Sequence, residues 1–225
     1  MEPEVTVLEF FYDFSSPFAY LGETQVERLA EGHTLVWRPF LLGALFKTIG
    51  TPLVPLETFA PAKLALVNKD QYRWAEHWGV DFNFPSRFPQ RSVKALRVAL
   101  AVPDEHVGRV SLAIYRTMWV DDGELEDVPT LTRTLEGLGL DAAAVLAASE
   151  TDAVKQRLRA NTDEALAQGV FGVPLMVCDG QPFWGQDALP MLRAYLEGDA
   201  WFDSPAWTDA GRLPVGIRRP VQPAA

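Results

Sequence analysis

Residues 5–12 carry Val5, Val7, Leu8, Phe10, Phe11 and Tyr12, a nearly unbroken apolar and aromatic run. Such a run suits a strand buried on both faces, in the middle of a mixed sheet with layers on either side. It leads directly into Asp13-Phe14-Ser15-Ser16-Pro17, and a helical pattern follows over about residues 17–30. Ser16 is a natural N-cap, and the fixed φ of Pro17 suits the first helical position. Gly32 ends the helix. A second strand is expected over residues 34–40, closed by Pro39. Strand, helix and strand at this spacing predict parallel pairing.

The pattern then changes. Val93, Leu96 and Leu100 recur at helical spacing, as do Val107, Val110, Ile114 and Met118, so residues 41–149 read as a helical insertion. Residues 51–59 and 84–89 are proline-marked loops within it, and the alanine-rich stretch 142–148 has high helix propensity. A helix follows over residues 152–168, with Val154, Leu158, Thr162 and Leu166 on one face and Gly169 as its stop. Residues 175–178 and 181–184 are short strands joined by Asp179-Gly180, a strong hairpin signal. Gly185 follows, then a closing helix over 186–196. The tail from Gly198 contains Pro205, Pro214, Pro220 and Pro223 and reads as an extended wrap or a partly disordered end. This order predicts an α/β chain with a thioredoxin-like fold (residues 1–40 and 150–197), a helical domain inserted after the second strand (41–149) and a C-terminal tail (198–225).

Charge and cysteine usage narrow the chemistry. Among 225 residues there are 20 Lys plus Arg against 30 Asp plus Glu, a formal charge of −10, which argues against nucleic acid as the main partner. The single cysteine, Cys178, permits no intramolecular disulfide, Cys-x-x-Cys pair or cysteine zinc cage, and it reads as an inert buried thiol. His33, His77 and His106 are scattered, so no structural metal is expected. Met1-Glu2-Pro3-Glu4 lacks the basic start of a signal peptide, and no apolar stretch is long enough to span a bilayer. A cytoplasmic protein without membrane contact is expected. Trp74 and Trp78 read as a core pair, with His77 facing solvent. Asp121-Asp122-Gly123-Glu124 lacks calcium-loop spacing and reads as a polar connection.

Three short elements could carry chemistry. Ser16-Pro17 opens a helix, where unpaired N–H groups and the helix dipole stabilise an anion or thiolate; a plain capping serine is the competing reading. Gly172-Val173-Pro174 precedes a strand. A trans Val173–Pro174 bond is the expectation for that pair alone, whereas a cis bond would bend the chain and expose the Val173 N–H and C=O to a ligand. Trp184-Gly185-Gln186-Asp187 joins the last strand to the last helix, where Gln186 or Asp187 can cap the helix or hold the charged end of a ligand. In a thioredoxin-like sheet all three lie at the same end.

Together these residues resemble the 2-hydroxychromene-2-carboxylate isomerases, which group with the kappa-class glutathione transferases in the DsbA-like branch of the thioredoxin superfamily. The resemblance is carried by Phe11-Tyr12-Asp13-Phe14-Ser15-Ser16-Pro17-Phe18-Ala19-Tyr20-Leu21-Gly22, by Phe171-Gly172-Val173-Pro174 and by Phe183-Trp184-Gly185-Gln186-Asp187. Pro39 to Gly43, Phe46-Lys47, Pro61-Ala62-Lys63, Arg73-Trp74-Ala75 and Phe88-Pro89 are also similar. The resemblance covers about residues 5–196 and leaves out the tail.

What the resemblance implies is a glutathione-dependent enzyme with a small-molecule substrate, and a homodimer. Ser16 stands where redox relatives keep their first cysteine, and Ala19 where they keep the second. Disulfide exchange needs a thiolate attacker, so DsbA-type redox chemistry is excluded at this position. Ser16 is expected to donate a hydrogen bond to the glutathione sulfur. Val173 would pair with the cysteinyl backbone, and Trp184, Gly185, Gln186 and Asp187 would hold the γ-glutamyl end. The thiolate would add to an unsaturated chromene carboxylate and leave after a bond rotates or a ring opens, which regenerates glutathione; a lasting adduct would instead make the enzyme a kappa-like transferase. Lys47 matches a family lysine near the substrate carboxylate, though a solvated surface lysine explains it equally well. Thr51 falls in a loop where the family often has asparagine, and Phe88 where some members have tyrosine. These departures bear on the substrate more than on glutathione. A non-catalytic DsbA-like binding protein is the reading from another class.

Overall fold

The computed structural model describes residues 5–212, which fall into two compact units divided after Leu189. The first contains a four-stranded sheet of order β2-β1-β3-β4, with β1 Val7–Tyr12, β2 Thr34–Pro39, β3 Leu175–Cys178 and β4 Gln181–Trp184. β1 pairs parallel with β2 and antiparallel with β3, and β3 pairs antiparallel with β4. β1 is therefore internal. Phe10 and Phe11 point to opposite faces by the period of a strand, and both are fully buried, as the apolar run predicted. The strand begins at Val7, two residues later than expected, and its first residue is exposed, as is Val5 before it.

Helix α1 Pro17–Leu29 connects β1 to β2. Between β2 and β3 come α2 Leu42–Ile49, α3 Pro61–Trp78, α4 Val93–Leu100, α5 Asp104–Trp119, α6 Val128–Gly137, α7 Ala142–Ser149 and α8 Asp152–Ala167. One face of β1 meets α5: Tyr12 shares a hydrogen bond with Ser111, and its ring lies 6.0 Å from that of Tyr115. On the other face Glu9 pairs with Arg38 and accepts from Gln168, just past α8. The buried Asn161 of α8 donates to the Pro39 carbonyl, and Thr162 accepts from the Leu41 N–H, so α8 is tied to the end of β2. These helices bury the central strand on both sides and leave its C-terminal end to form the site.

The structure corrects several expectations. Residues 186–196 are not one helix. A 3₁₀ turn spans Gln186–Ala188, and α9 runs Leu189–Leu196. Pro190 explains the break, since it has no N–H to donate to the Gln186 carbonyl and its ring would clash there. The loop over 51–59 contains a 3₁₀ turn, Pro55–Thr58. The rings of Trp74 and Trp78 meet at a tilt of 42° with centroids 4.8 Å apart, but they are only half-buried, so they are not core. In the second unit the tail is not extended: Ala200–Asp203 and Ala210–Arg212 are 3₁₀ turns around α10 Pro205–Thr208. Trp201, Phe202 and Trp207 pack on one another there. Pro214, Pro220 and Pro223 lie outside the described residues.

One buried carboxyl has no hydrogen-bond partner among the described residues. Glu23 on α1 is 4% exposed, and neither carboxylate oxygen finds a hydrogen bond. Burial pushes its carboxyl well above the usual range, and Glu27 one turn on adds to the shift. A carboxyl that binds its proton more tightly when folded stabilises the fold while protonated. That contribution is fully present below its ordinary value of 4.5 and is lost as pH rises through the folded value. The urea midpoint of the wild type is therefore expected to fall between pH 5 and pH 8, and Glu23→Gln should flatten that slope. A slope unchanged by the substitution would assign the pH dependence to another group.

Candidate active site

The hand-over from β1 to α1 is organised by the buried carboxylate of Asp13. It accepts from the Ser15 N–H at 3.0 Å, from the Ser15 hydroxyl at 2.9 Å and from the Leu42 N–H at 2.9 Å. The last bond caps α2, whose own N-cap residue, Leu41, has no side chain able to do so. The Ser92 side chain, at the start of α4, also bonds to it. Burial pushes the Asp13 carboxyl up, and these donors pull it back. The same loop is held from α5 through its carbonyls. Tyr115 donates to the Asp13 C=O at 3.1 Å, and the Trp119 indole N–H donates to the Phe14 C=O at 2.8 Å.

Ser16 follows as the N-cap of α1. Its φ of −107° and ψ of 119° are extended, and its Oγ accepts from the Ala19 N–H at 3.2 Å. The hydroxyl donates to the Val173 carbonyl at 3.4 Å, longer than an ordinary O–H···O bond. That weak bond leaves the proton free to turn to a ligand. Phe18, at the second helical position, has an N–H with no intrahelical acceptor, and Pro17 before it has no N–H at all. The helix start thus presents a hydroxyl and the positive end of the dipole.

The Val173–Pro174 bond is cis, contrary to the trans expectation for the isolated pair. Tertiary contact decides the outcome there. The Pro174 ring lies against α1 at Gly22, where a Cβ would approach its Cγ to 3.1 Å, and the Pro174 carbonyl accepts from Gly185 at 2.9 Å. Among the described backbone hydrogen bonds none uses the Val173 N–H. Gly185 has a φ of +92°, and a Cβ there would lie 2.4 Å from the Asp187 Oδ1, so the corner requires glycine.

Two adjoining cavities open on these elements. The main cleft, about 530 Å³, is lined by Ser15 and Ser16, by Phe46 of α2, by Leu53 and Thr51 of the following loop, and by Phe88. Phe171, Gly172, Val173 and Trp184 complete it opposite the helix start. Its lining is overwhelmingly apolar, with Lys63 as the one charged residue; the ammonium of Lys63 sits 3.8 Å from the centroid of the Phe59 ring. A second cavity of about 330 Å³ shares Phe18, Val67, Val173 and Trp184 with the first and is also lined by Gly185, Gln186 and Asp187.

Ser16, Val173, Trp184, Gly185, Gln186 and Asp187 are thus brought together, with Thr51 and Phe88 lining the main cleft. Lys47 is placed elsewhere: it is exposed on the last turn of α2 and lines neither cavity. Three contributions carried no role in the sequence reading. Asp13 and Trp119 are silent because each acts through distant backbone. Lys63 did carry a signal, as a cation in the first turn of α3, where the helix dipole disfavours one. Cys178 is fully buried, lines neither cavity, and has its thiol pushed up to about 12 by burial and by Asp179. Among the described residues no group of three or more His, Cys, Asp or Glu is placed to hold a metal, and no helix is long and apolar enough to cross a membrane.

Comparison with known proteins gives consistent matches. The family model for the DSBA-like thioredoxin domain matches residues 7–197. A 2-hydroxychromene-2-carboxylate isomerase of Sphingobium xenophagum is 29% identical over 191 residues, covering 84% of this chain and 97% of the relative. The Caenorhabditis elegans glutathione S-transferase kappa 2 is 28% identical over 218 residues, covering 86% and 93%. The solved structure of a 2-hydroxychromene-2-carboxylate isomerase superposes with a TM-score of 0.76 at 25% identity, covering 85% of this chain and 94% of that one.

Trp119→Phe keeps the buried ring but leaves the Phe14 carbonyl without its donor. We expect a loss of about 1–2 kcal/mol in urea unfolding, against little change for Trp78→Phe at a half-exposed ring. Equal effects of the two substitutions would remove the role given to the indole N–H.

Proposed function

The chain belongs to the DSBA-like thioredoxin domain family, and from that premise we propose that it is a glutathione-dependent isomerase acting on an aromatic-degradation intermediate of the 2-hydroxychromene-2-carboxylate type. One observation carries the reading. A buried serine hydroxyl at a helix start lines an apolar cleft, held only weakly by the Val173 carbonyl, while the chain's own thiol lies outside both cavities.

The residues present suit glutathione. The Val173 N–H and C=O are available to pair with an extended peptide as an added strand would. Gln186 and Asp187 sit in the adjoining cavity, where the γ-glutamyl end belongs. Lys63 offers the main cleft a cation for a carboxylate, of the glycyl end or of the substrate. When bound, glutathione supplies the thiolate nucleophile that this chain lacks. Ser16 contributes the hydrogen bond that favours the ionised sulfur, and the start of α1 adds its dipole. Free thiols titrate near 8.5, so a lowering of about two units makes the ionised form dominant at neutral pH. The apolar walls, Phe46, Leu53 and Phe88 among them, exclude water and accept a planar hydrophobic substrate. Thr51 supplies one of the few hydroxyls there, and Lys47 lies too far out on α2 to line the cleft. A homodimer and a cytoplasmic location belong to the same proposal and rest on the family resemblance and the sequence.

A kappa-like transferase is the second reading, supported by the 28% identity to the nematode kappa enzyme over 86% of this chain. The two differ in stoichiometry: an isomerase leaves total glutathione constant, and a transferase consumes one molecule per turnover.

Turnover of 2-hydroxychromene-2-carboxylate with glutathione should fall roughly 10²-fold or more in Ser16→Ala. The lost N-cap should lower stability by only about 1 kcal/mol, so the variant remains folded. Full activity in the variant would sink the role of Ser16, and absence of glutathione binding at millimolar concentration would favour a non-catalytic module.

A further inference from the structure

Residues 79–92, between α3 and α4, contain no helix or strand. Loops beyond about 12 residues without secondary structure of their own are uncommon in compact domains and are often functional. Of the residues that line the main cleft, Phe88 and Pro89 alone come from this loop. The Phe88 ring lies against Phe84 and Trp119, with centroids 5.1 and 6.0 Å away. The chain on either side of it is held by the turn that follows α5. Before Phe88, the Ser86 N–H donates to the Asp122 carboxylate at 2.7 Å, and the Ser86 side chain bonds the same group. After it, the Gln90 side chain bridges the turn. Its amide nitrogen donates to the Gly123 carbonyl at 3.1 Å, and its oxygen accepts from the Leu125 N–H at 3.0 Å. Arg87 adds an ion pair with Glu124. The polar connection over residues 121–124 is therefore the other half of a clasp.

The turn itself has little room to yield. Asp122 is left-handed, with a φ of 56°, a conformation that aspartate tolerates better than most residues. A Cβ at Gly123 would come within 2.8 Å of the Thr117 Cγ2 and 2.9 Å of the Thr117 carbonyl oxygen, so only glycine fits against the end of α5. The Gly123 N–H donates to that same carbonyl at 2.7 Å. The contacts to the loop differ in weight. Both side chains of the Arg87–Glu124 pair are more than half exposed, so the pair adds little. Gln90 is half-buried, and its amide satisfies one backbone donor and one backbone acceptor together, so an apolar side chain of similar length would break both bonds at once. We propose that Gln90 is a positioning residue: with Asp122 it clasps the loop on both sides of Phe88 and fixes that ring as the wall against which the electrophile is held. The proposal rests on the main cleft being the electrophile's site and deepens that reading by naming what sets its wall. The clasp touches neither Ser16 nor Val173, so it acts on the electrophile and not on glutathione.

Two measurements on the whole chain test it. Amide exchange followed by NMR tests the clasp. In Gln90→Met the Ser86 amide, whose own acceptor is untouched, should exchange about 5-fold faster or more, because release of the loop after Phe88 loosens it before Phe88 as well. An unchanged Ser86 rate would overturn the proposal. Turnover of 2-hydroxychromene-2-carboxylate with glutathione tests the role. Gln90→Met should raise KM for the electrophile about 5-fold, with kcat and the glutathione Kd within about 2-fold of wild type. Asp122→Gly keeps the left-handed turn but loses the acceptor and should raise KM in the same direction, whereas Asp122→Asn keeps both and should restore the wild-type value. Phe88→Ala should raise KM by itself, and adding Gln90→Met to it should raise KM no further, since the clasp acts through the ring. An unchanged KM in Gln90→Met, a glutathione Kd that rises in step with it, or additive effects of Gln90→Met and Phe88→Ala would overturn the proposal. A wild type inert toward this substrate would overturn the function proposed above, and the clasp would then stand or fall with the Ser86 exchange rate.

Discussion

The site hangs on one buried carboxylate. Asp13 gathers the Ser15 N–H and hydroxyl, the first N–H of α2 and the Ser92 side chain at the start of α4, while its own carbonyl accepts from Ser16 and Tyr115. A buried carboxyl is tolerable only when protein partners replace its water. Here the donors come from three separate stretches of chain. The need to satisfy one buried carboxyl therefore brings together the strand end and the starts of α1, α2 and α4. The Ser16 backbone is fixed by the same junction, since its N–H ends on the Asp13 carbonyl at 3.1 Å. A flexible loop could carry the same residues, but it could not hold the hydroxyl at the helix start against the Val173 carbonyl.

That junction also explains why the long excursion between β2 and β3 matters to chemistry. α5 packs under the sheet through Tyr12, Ser111 and Tyr115, and it reaches the functional loop through Tyr115 and Trp119. The Trp119 ring is in turn packed against Phe88, which lines the main cleft. The cleft wall and the backbone that presents Ser16 therefore share one side chain. The apolar pocket and the polar helix start are two faces of the same packing.

Much of this was legible in the sequence, for local reasons. The central strand, the Ser-Pro helix start and the Asp-Gly hairpin are written in neighbouring residues, and β3 and β4 span the residues read for them. What escaped was decided by contacts between distant segments. The isomer of Val173–Pro174 is one instance, because the Gly22 surface that receives Pro174 is far away in sequence. The two lysines are another. Lys47 sits on the last turn of α2, where any helix welcomes a cation, so its presence needs no function; Lys63 sits in a first turn, where it is disfavoured, and lines the cleft. A residue that breaks a local rule carried more information than one that matched an expected position. Trp74 was misread for a similar reason: an i, i+4 aromatic pair looks the same whether its helix faces the core or a cavity.

The chain separates two properties that redox relatives of its fold keep in one residue. It has an anion-stabilising helix start without sulfur and a sulfur without an anion-stabilising environment. Cys178 lies fully buried in β3, and burial together with Asp179 pushes its thiol up to about 12, so it is not a nucleophile at neutral pH. Ser16 has the favourable position, yet its hydroxyl ionises far too weakly to act alone, and among the described residues no histidine or other base bonds to it. Its oxygen accepts from the Ala19 N–H, and on the proposed reading its proton turns from the Val173 carbonyl to an anion brought into the cleft. The same helix start that would lower the pKa of a resident cysteine can lower that of a visiting thiol, provided the visitor is aligned. On the proposed reading, alignment comes from the Val173 backbone. The substitution of serine for cysteine thus removes the nucleophile from the polypeptide while leaving every other requirement for using one in place.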